Sequence, residues 1–472
     1  MQMTVNPKIE EYINNFKTTI YHFPLDKALE QAELLGLFLR DNDVGIYSLN
    51  DIEEYLIDIV YAELLKGGEL FESIEQQGII FLASELYHSG GHTRLMERLA
   101  TFLDSVPDLF ITKNSPDDII QREKKFFSTV MCSRKSYSSV LEMIFIIVKV
   151  LLRYKVIILN THQEDIYAIV ACGLARKINK NIKIHYVNHA DHTFSYGSSI
   201  SDVWYEISAY GIAVDAMRGL NSKKCFLGIP IEIPKPTLIE NYKFKNGDLI
   251  LTAASAFKYR PEHKQSIMPL ISALLDKYDK SKLQVIGVNL TTNYWWWKMK
   301  LKYWKRLNLS NSLPYEEYLK VTSSAKLYID SHPFPGGTAF AEQFLQGRLC
   351  VGLKSKYSGY TPLESFKKDN VKDVLSMIDS LCEKDIQLMK ENVEKKHGYN
   401  AVKLNFVKSF SSCSYNNGDS ILPELKPNWR VTSIPIKMHL TLSLCKVCSS
   451  KAISIYLFKK MYKKLTLSYK SF

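Results

Sequence analysis

The sequence predicts an α/β protein made of two units, each a mostly parallel sheet with helices on both faces. Three observations lead there. Short, uninterrupted apolar runs alternate with helical patterns, and this alternation occurs twice along the chain. A Pro-rich stretch separates the two series. The length, 472 residues, is too great for one ordinary core and suits two domains of about 100–200 residues plus extensions. With 46% hydrophobic and 23% charged residues, neither a disordered chain nor a membrane-embedded bundle is the expected class.

Residues 1–75 read as a helical N-terminal extension. Acidic and apolar residues recur at helical spacing over 25–38 and 52–65, with a break at Asp41-Asn42-Asp43. The first α/β unit spans 76–228. Gly78-Ile79-Ile80-Phe81-Leu82-Ala83 reads as a buried strand, followed by a helix over 93–100. Residues 155–159 form a second strand with a helix over 165–177, and 182–187 a third that opens into a loop rich in His and Asp. The most apolar run, 140–159, is interrupted by Lys149, Arg153 and Lys155, so it reads as a buried helix and a core strand rather than a membrane span. Residues 229–236, Ile-Pro-Ile-Glu-Ile-Pro-Lys-Pro, can hold neither helix nor central strand and read as a linker. The second unit, 237–410, repeats the alternation. Its strands are expected at 248–253, 283–288, 325–330 and 349–353, and its helices at 261–278, 315–324 and 338–346. Ligands of such sheets bind at the carboxyl ends of the strands.

Residues 411–472 form a basic C-terminal tail. From Lys426 to Phe472 there are ten Lys or Arg and no acidic residue, against a net charge of +12 for the whole chain. The tail therefore suits an anionic surface, while the body is nearly neutral. Tyr294-Trp295-Trp296-Trp297 beside Lys298, Lys300, Lys302, Lys305 and Arg306 is a second aromatic–basic element, and residues 440–472 repeat its composition. Together they predict an anionic membrane surface as a partner. Nucleic acid is not expected, because the predicted cleft lacks basic charge. The first eight residues show no basic-then-apolar export signal, and the eight cysteines are sparse and scattered. The expected location is a reducing cytoplasm, on the inner face of the membrane where the basic elements engage it. Cys445 and Cys448 form a lone CxxC without a second ligand pair and read as incidental.

The chemistry concentrates where Asp330-Ser331-His332-Pro333-Phe334-Pro335-Gly336-Gly337-Thr338 joins a strand to a helix. Glycines before a helix N-terminus let backbone N–H groups approach an anion that the helix dipole also favours. The amides between Pro335 and Thr338 are thus expected to hold two linked phosphoryl groups, with the Thr338 hydroxyl as a further donor. Glu342, one turn on, is placed to accept bonds from two ribose hydroxyls, and Gly347 ends the helix. A tight turn followed by a solvated Glu is the plainer alternative.

The pattern Asp-x-x-Pro-x-x-Gly-Gly-Thr-x-x-x-Glu, continued by Gly347 and Cys350-Val351, resembles the donor-site segment of GT-B glycosyltransferases. It is similar to the O-linked N-acetylglucosamine transferase group and its bacterial adhesin- and surface-glycan-modifying relatives. The resemblance spans 249–353. It implies a GT-B fold, two facing Rossmann-like domains, and transfer of a hexosyl or N-acetylhexosaminyl group from a nucleotide-sugar, a UDP-sugar by this likeness, to a glycan, lipid-linked or protein acceptor. Ser255-Ala256-Phe257-Lys258-Tyr259-Arg260-Pro261 resembles the group's Lys-x-x-Pro stretch, which implies that Lys258 contacts the diphosphate. Ser255 stands where the group has Gln. Gly337 and Ala339 replace a His and a second Thr, so the phosphate role falls to backbone, Gly336, Gly337 and Thr338.

Retaining GT-B enzymes resemble one another in a Glu eight residues before the ribose-binding Glu, a position held here by Phe334. Inversion is therefore expected, and inversion requires a general base. Ser89-Gly90-Gly91-His92-Thr93 resembles the Gly-His loop of inverting members. The likeness implies His92 as base with Gly91 on the acceptor side; a His packed at the helix start is the alternative. Asn188-His189-Ala190-Asp191-His192 offers Asp191 as base or orienter, His189 as donor or acceptor contact and His192 on the acceptor side. Residues 198–201 and Tyr205-Glu206 are expected to frame the acceptor. Lys258 and backbone can neutralise a diphosphate, so no metal or other cofactor is assigned. Two other functions fit the same architecture: a non-catalytic acceptor-binding partner of a transferase, and a nucleotide-sugar epimerase.

Overall fold

The computed structural model describes residues 5–66, 76–88, 91–133, 137, 139–233, 238–262, 265–357, 359, 361–411, 425 and 431–468. The first sheet contains β1 (Ile79–Ala83), β2 (Asp108–Ile111), β3 (Val130–Cys132), β4 (Val156–Asn160), β5 (Lys183–Asn188), β6 (Val203–Glu206) and β7 (Lys223–Phe226). Its order is β3-β2-β1-β4-β5-β6-β7, parallel throughout. The second contains β8 (Leu249–Ala253), β9 (Lys282–Ile286), β10 (Leu307–Ser310), β11 (Ala325–Ile329), β12 (Leu349–Leu353) and β13 (Lys367–Lys368), in the order β10-β9-β8-β11-β12-β13, also parallel. Central strands such as β1, β4 and β8 are buried along nearly their whole length, because crossover helices cover both faces. Each sheet reverses strand order once, between β1 and β4 and between β8 and β11. Crevices at such switch points receive ligands, so four loops are singled out: those after β1, β4, β8 and β11.

Three N-terminal helices, Pro7–His22, Leu25–Asp41 and Asn50–Lys66, share one core with the first sheet through Ile9, Leu35, Phe38, Ile52 and Leu56. The apolar run forms the helix Val140–Leu151 and then β4, as expected of a buried segment. The helix expected over 261–278 runs only Met268–Lys277; Glu262 and Gln265 exchange backbone hydrogen bonds ahead of it, and residues 263 and 264 lie outside the described residues. Among the described residues no helix is long and apolar enough to cross a membrane.

Two segments pack in places their sequence did not disclose. The helix Tyr399–Ser409 lies against the first lobe, where Tyr399 and Phe406 contact Phe102 and the Ser409 hydroxyl bonds the Tyr205 hydroxyl. The Pro-rich stretch is partly anchored there too: Ile231 is buried and pairs with Gly398, while residues 234–236 lie outside the described residues. The described tail, 431–468, docks on the N-terminal helices, with the Thr432 and Ser433 amides donating to Asn42 and the Tyr12 hydroxyl donating to the His439 carbonyl. Of the aromatic run, Trp296 is wholly buried against Tyr259, whereas Tyr294 and Trp297 stay exposed. Cys225 of β7 is disulfide-bonded, whereas Cys445 and Cys448 are free.

Candidate active site in the cleft between the sheets

A cleft of about 630 Å³ opens between the two switch points and is lined from both lobes. The segment after β1 re-enters as the helix Gly91–Ala100, with His92 in its first turn; residues 89 and 90 lie outside the described residues. His92 Nε2 is 3.2 Å from the Glu85 carbonyl oxygen. A carbonyl only accepts, so Nε2 carries the hydrogen and Nδ1 keeps its lone pair. Burial pushes the imidazole down from 6.5 to about 4, which leaves it neutral at physiological pH.

His189, just past β5, stacks on His92 with ring centroids 5.2 Å apart. Its Nε2 lies 3.2 Å from the Gln163 side-chain nitrogen, which donates, and its full burial beside His92 holds it well below the usual histidine range. His189 is therefore neutral, and it lines the cleft beside His92. A third imidazole, His162, sits 6.0 Å from His92 and stacks on Tyr87. Sequence reasoning passed over His162. The available signal was its place two residues beyond β4, at the sheet's carboxyl edge.

The neighbouring carboxylates lie elsewhere. Asp191 is completely buried, accepts from the Ser208 hydroxyl at 2.5 Å and is not among the side chains lining the cleft. Its carboxylate lies beside Glu206 in a buried group that includes Asp215 and Arg218, and its Oδ1 stands 3.8 Å from His192 Nδ1, which places it as a neighbour of that imidazole and not on the cleft wall. Glu206 accepts from Asn188 and Trp204, and burial beside Asp215 and Asp191 raises it well above the carboxylate range. Tyr205 is buried as well, and the Ser199 amide and hydroxyl donate to Glu53 of the N-terminal helices. Residues 198–201, Tyr205 and Glu206 thus form core contacts instead of an acceptor frame. His192 meets Phe334 and Tyr357 edge-on, at 5.3 and 5.7 Å, and so links the two lobes.

On the second lobe, the turn after β8 presents Ser255 and Lys258 to the cleft. Lys258 Nζ donates to the Pro335 carbonyl at 2.9 Å and lies 5.1 Å above the Phe334 ring. Burial lowers its ammonium from 10.5 to about 8. Beneath the loop after β11, Asp330 pairs with Lys367 at 2.7 Å, both side chains being almost wholly enclosed. Asp330 Oδ1 also accepts the Ser331 amide at 2.9 Å and the Gly336 amide at 2.7 Å. A Cβ at Gly336 would stand 2.6 Å from that oxygen, which requires glycine. Gly337, at φ +56°, supplies the left-handed turn into the helix Thr338–Leu345, whose N-terminus has no side-chain cap. The Gly336 amide is therefore committed within the loop, and an anion would rest on Gly337, Thr338 and Ala339 rather than on the whole span from Pro335.

The two helix N-termini meet across the cleft: a Cβ at Gly91 would lie 3.7 Å from the Thr338 hydroxyl oxygen. Glu342, nearly buried, faces Arg94 of the first lobe at 3.5 Å. Arg94 was not expected from the sequence. It lies one helical turn beyond Gly91, on the exposed side of a helix that gave no sign of a partner lobe. The charged side chains lining the cleft are Arg94, Lys258 and Glu342, so two cations and two positive dipole ends face one carboxylate. Such a lining suits an anion. Among the described residues no three His, Cys, Asp or Glu side chains are grouped to hold a metal.

No protein-family model matches the sequence, and no curated protein is significantly similar to it. Solved structures share its fold. HepE (Alr3699) of Anabaena, in complex with UDP and glucose, matches 71% of this chain and 99% of its own at 12% identity and a TM-score of 0.53. A glycosyltransferase of Rickettsia africae matches 71% and 98% at 11% identity and 0.51. The lipopolysaccharide outer core galactosyltransferase WaaB matches 70% and 98% at 13% identity and 0.50. The architecture is GT-B: two facing Rossmann-like lobes, here with a helical N-terminal extension and a basic C-terminal segment packed against it.

Proposed function

We propose that this GT-B chain is a glycosyltransferase that moves a hexosyl or N-acetylhexosaminyl group from a UDP-sugar to a hydroxyl of a glycan, lipid-linked or protein acceptor, with inversion. One observation carries the reading. A buried lysine, an uncapped helix N-terminus and a carboxylate one turn on converge in a cleft, opposite a neutral imidazole. HepE structures of the same fold hold UDP and UDP-glucose, which supports a donor of that class. A cytoplasmic site of action goes with such a donor.

In this reading Lys258, the Thr338 hydroxyl and the amides from Gly337 to Ala339 receive the diphosphate, and Glu342 accepts from the ribose hydroxyls. His92 Nδ1 takes the proton of the acceptor hydroxyl as its oxygen bonds to the anomeric carbon. On the opposite face the bond to the diphosphate breaks, its electron pair staying on the phosphoryl oxygen. Preorganised donors at that oxygen are the largest catalytic term, and removal of one such donor typically costs about 10²–10³ in rate. Inversion is supported by Phe334, which packs between His192 and Lys258 where a retaining enzyme places a carboxylate.

A thermal-shift panel of UDP-, GDP- and dTDP-sugars tests the donor. One UDP-sugar should stabilise the protein, by about 2.7 kcal/mol at a hundredfold excess over Kd, and Glu342→Ala should abolish the response. A flat response to every member rejects the reading. Donor binding without hydrolysis or transfer would identify a non-catalytic acceptor-binding partner, and sugar interconversion without an acceptor an epimerase.

A further inference from the structure

Among its described side chains, the helix Ser450–Ser468 buries one side against the body. Ala452 and Tyr456 are buried, and the Tyr456 hydroxyl donates to the Met438 carbonyl at 2.8 Å. The opposite side carries Ile455, Leu457, Phe458, Met461 and Tyr462, which are 44% to 63% exposed. At 100° per residue these five side chains span an arc of roughly 160°, wide enough to be the buried stripe of a packed helix. Lys459 borders the arc on one flank, and Lys451 emerges within it. Just upstream, Leu442 is 85% exposed on the short helix Leu442–Val447.

We propose that this exposed face is a docking surface for an anionic lipid bilayer, with the helix lying in the plane of the interface. Charge selects the occupant. Lys451, Lys459, Lys460, Lys463 and Lys464 fall within the helix and no acidic residue does, nor is there one anywhere from Lys426 to Phe472. A second copy of the chain laid along this face would bring like charges together, whereas anionic headgroups pair with the lysines while the acyl boundary takes up the apolar arc. Lysine stems can lie along that arc with their ammonium groups at the headgroups. The proposal does not depend on sugar transfer: it requires only that the helix be exposed, apolar and basic.

The test uses the full chain and sedimentation with vesicles of phosphatidylcholine, with and without phosphatidylglycerol. Binding is expected to the mixed vesicles, not to phosphatidylcholine alone, and to fall as salt rises. Lys459→Gln should weaken it about five-fold, the equivalent of ~1 kcal/mol per basic residue at an anionic surface. Phe458→Asp together with Met461→Asp should abolish it while thermal unfolding stays unchanged, since both side chains are exposed. Failure to bind the mixed vesicles overturns the proposal, as do equal binding to neutral vesicles and full binding by the double variant. Self-association in sedimentation velocity that the double variant removes would also overturn it, by assigning the face to a second copy.

Discussion

Lys258 gives the sharpest way to test whether a diphosphate enters the cleft. Its ammonium is nearly enclosed, and burial lowers it from 10.5 to about 8, with Asp330 pulling it up and Lys367 pushing it down. A sugar diphosphate diester keeps both negative charges over the accessible pH range, and against Nζ it restores the lysine to its ordinary range. Binding above pH 8 must then take up a proton. If the free group titrates near 8 and the bound group near 10.5, Kd should rise about tenfold between about pH 7 and pH 9, or ~1.4 kcal/mol. Titration calorimetry of a UDP-sugar in two buffers of different ionisation enthalpy reads the proton directly: uptake approaches one near the upper limit and is small at neutrality. Lys258→Met should flatten the pH dependence. It should also weaken binding at neutral pH by about 10- to 100-fold, the range of a hydrogen bond to a charged group. A wild-type Kd that ignores pH, or a slope that survives in Lys258→Met, would refute the placement of the diphosphate on this lysine.

Removing His92 as base (His92→Ala) should lower kcat by about 10²–10⁴ and leave donor affinity unchanged in calorimetry; a smaller loss moves the base elsewhere. Arg94→Ala should weaken UDP-sugar binding by up to about five-fold, since the pair with Glu342 is long and partly solvated. Tighter binding would instead make Arg94 an obstruction. Lys367→Met leaves the Asp330 carboxylate buried without its partner and should reduce unfolding free energy by about 3–5 kcal/mol, read as a lower urea midpoint; an unchanged midpoint contradicts the pairing. His92, His185 and His332 are each pushed by burial from 6.5 to about 4. Below 6.5 the unfolded chain protonates first, so the stability they contribute is full above 6.5 and is lost as pH falls towards 4. NMR should find all three rings neutral at about pH 5.5, and titration of any of them near 6.5 would count against its burial.

The strands that could be read from the sequence are those enclosed on both faces. β1, β4, β8 and β12 are nearly unbroken apolar runs because neither face needs a polar residue, and β5, β9 and β11 stay mostly apolar around His185, Gln284 and Lys326. Those that could not be read are short and nearer the sheet edges. β7 is Lys-Lys-Cys-Phe and β13 only Lys-Lys, segments whose strand character comes from the neighbour they pair with. Docking of the tail on Asn42 was equally invisible, since it joins residues about 390 positions apart through backbone groups that carry no side-chain signal.

For the site, residue types at strand ends were legible and the commitments of individual atoms were not. Lys258, His92, Thr338 and Glu342 all stand at switch-point loops, and topology brings them to one cleft. Asp191 follows β5 and Glu206 ends β6, yet both carboxylates are enclosed, because Ser208, Asn188 and Trp204 supply partners inside the lobe. Local sequence cannot show such partners. The same holds for the glycine turn. Asp330 claims the Gly336 amide, and the enclosed Lys367 ammonium pairs with the same carboxylate. The ion pair therefore fixes the loop from below and shifts the anion-binding edge towards the helix, to amides whose dipole adds to the charge of Lys258. Loss of Lys367 should consequently disturb donor affinity as well as stability, although its own side chain does not line the cleft.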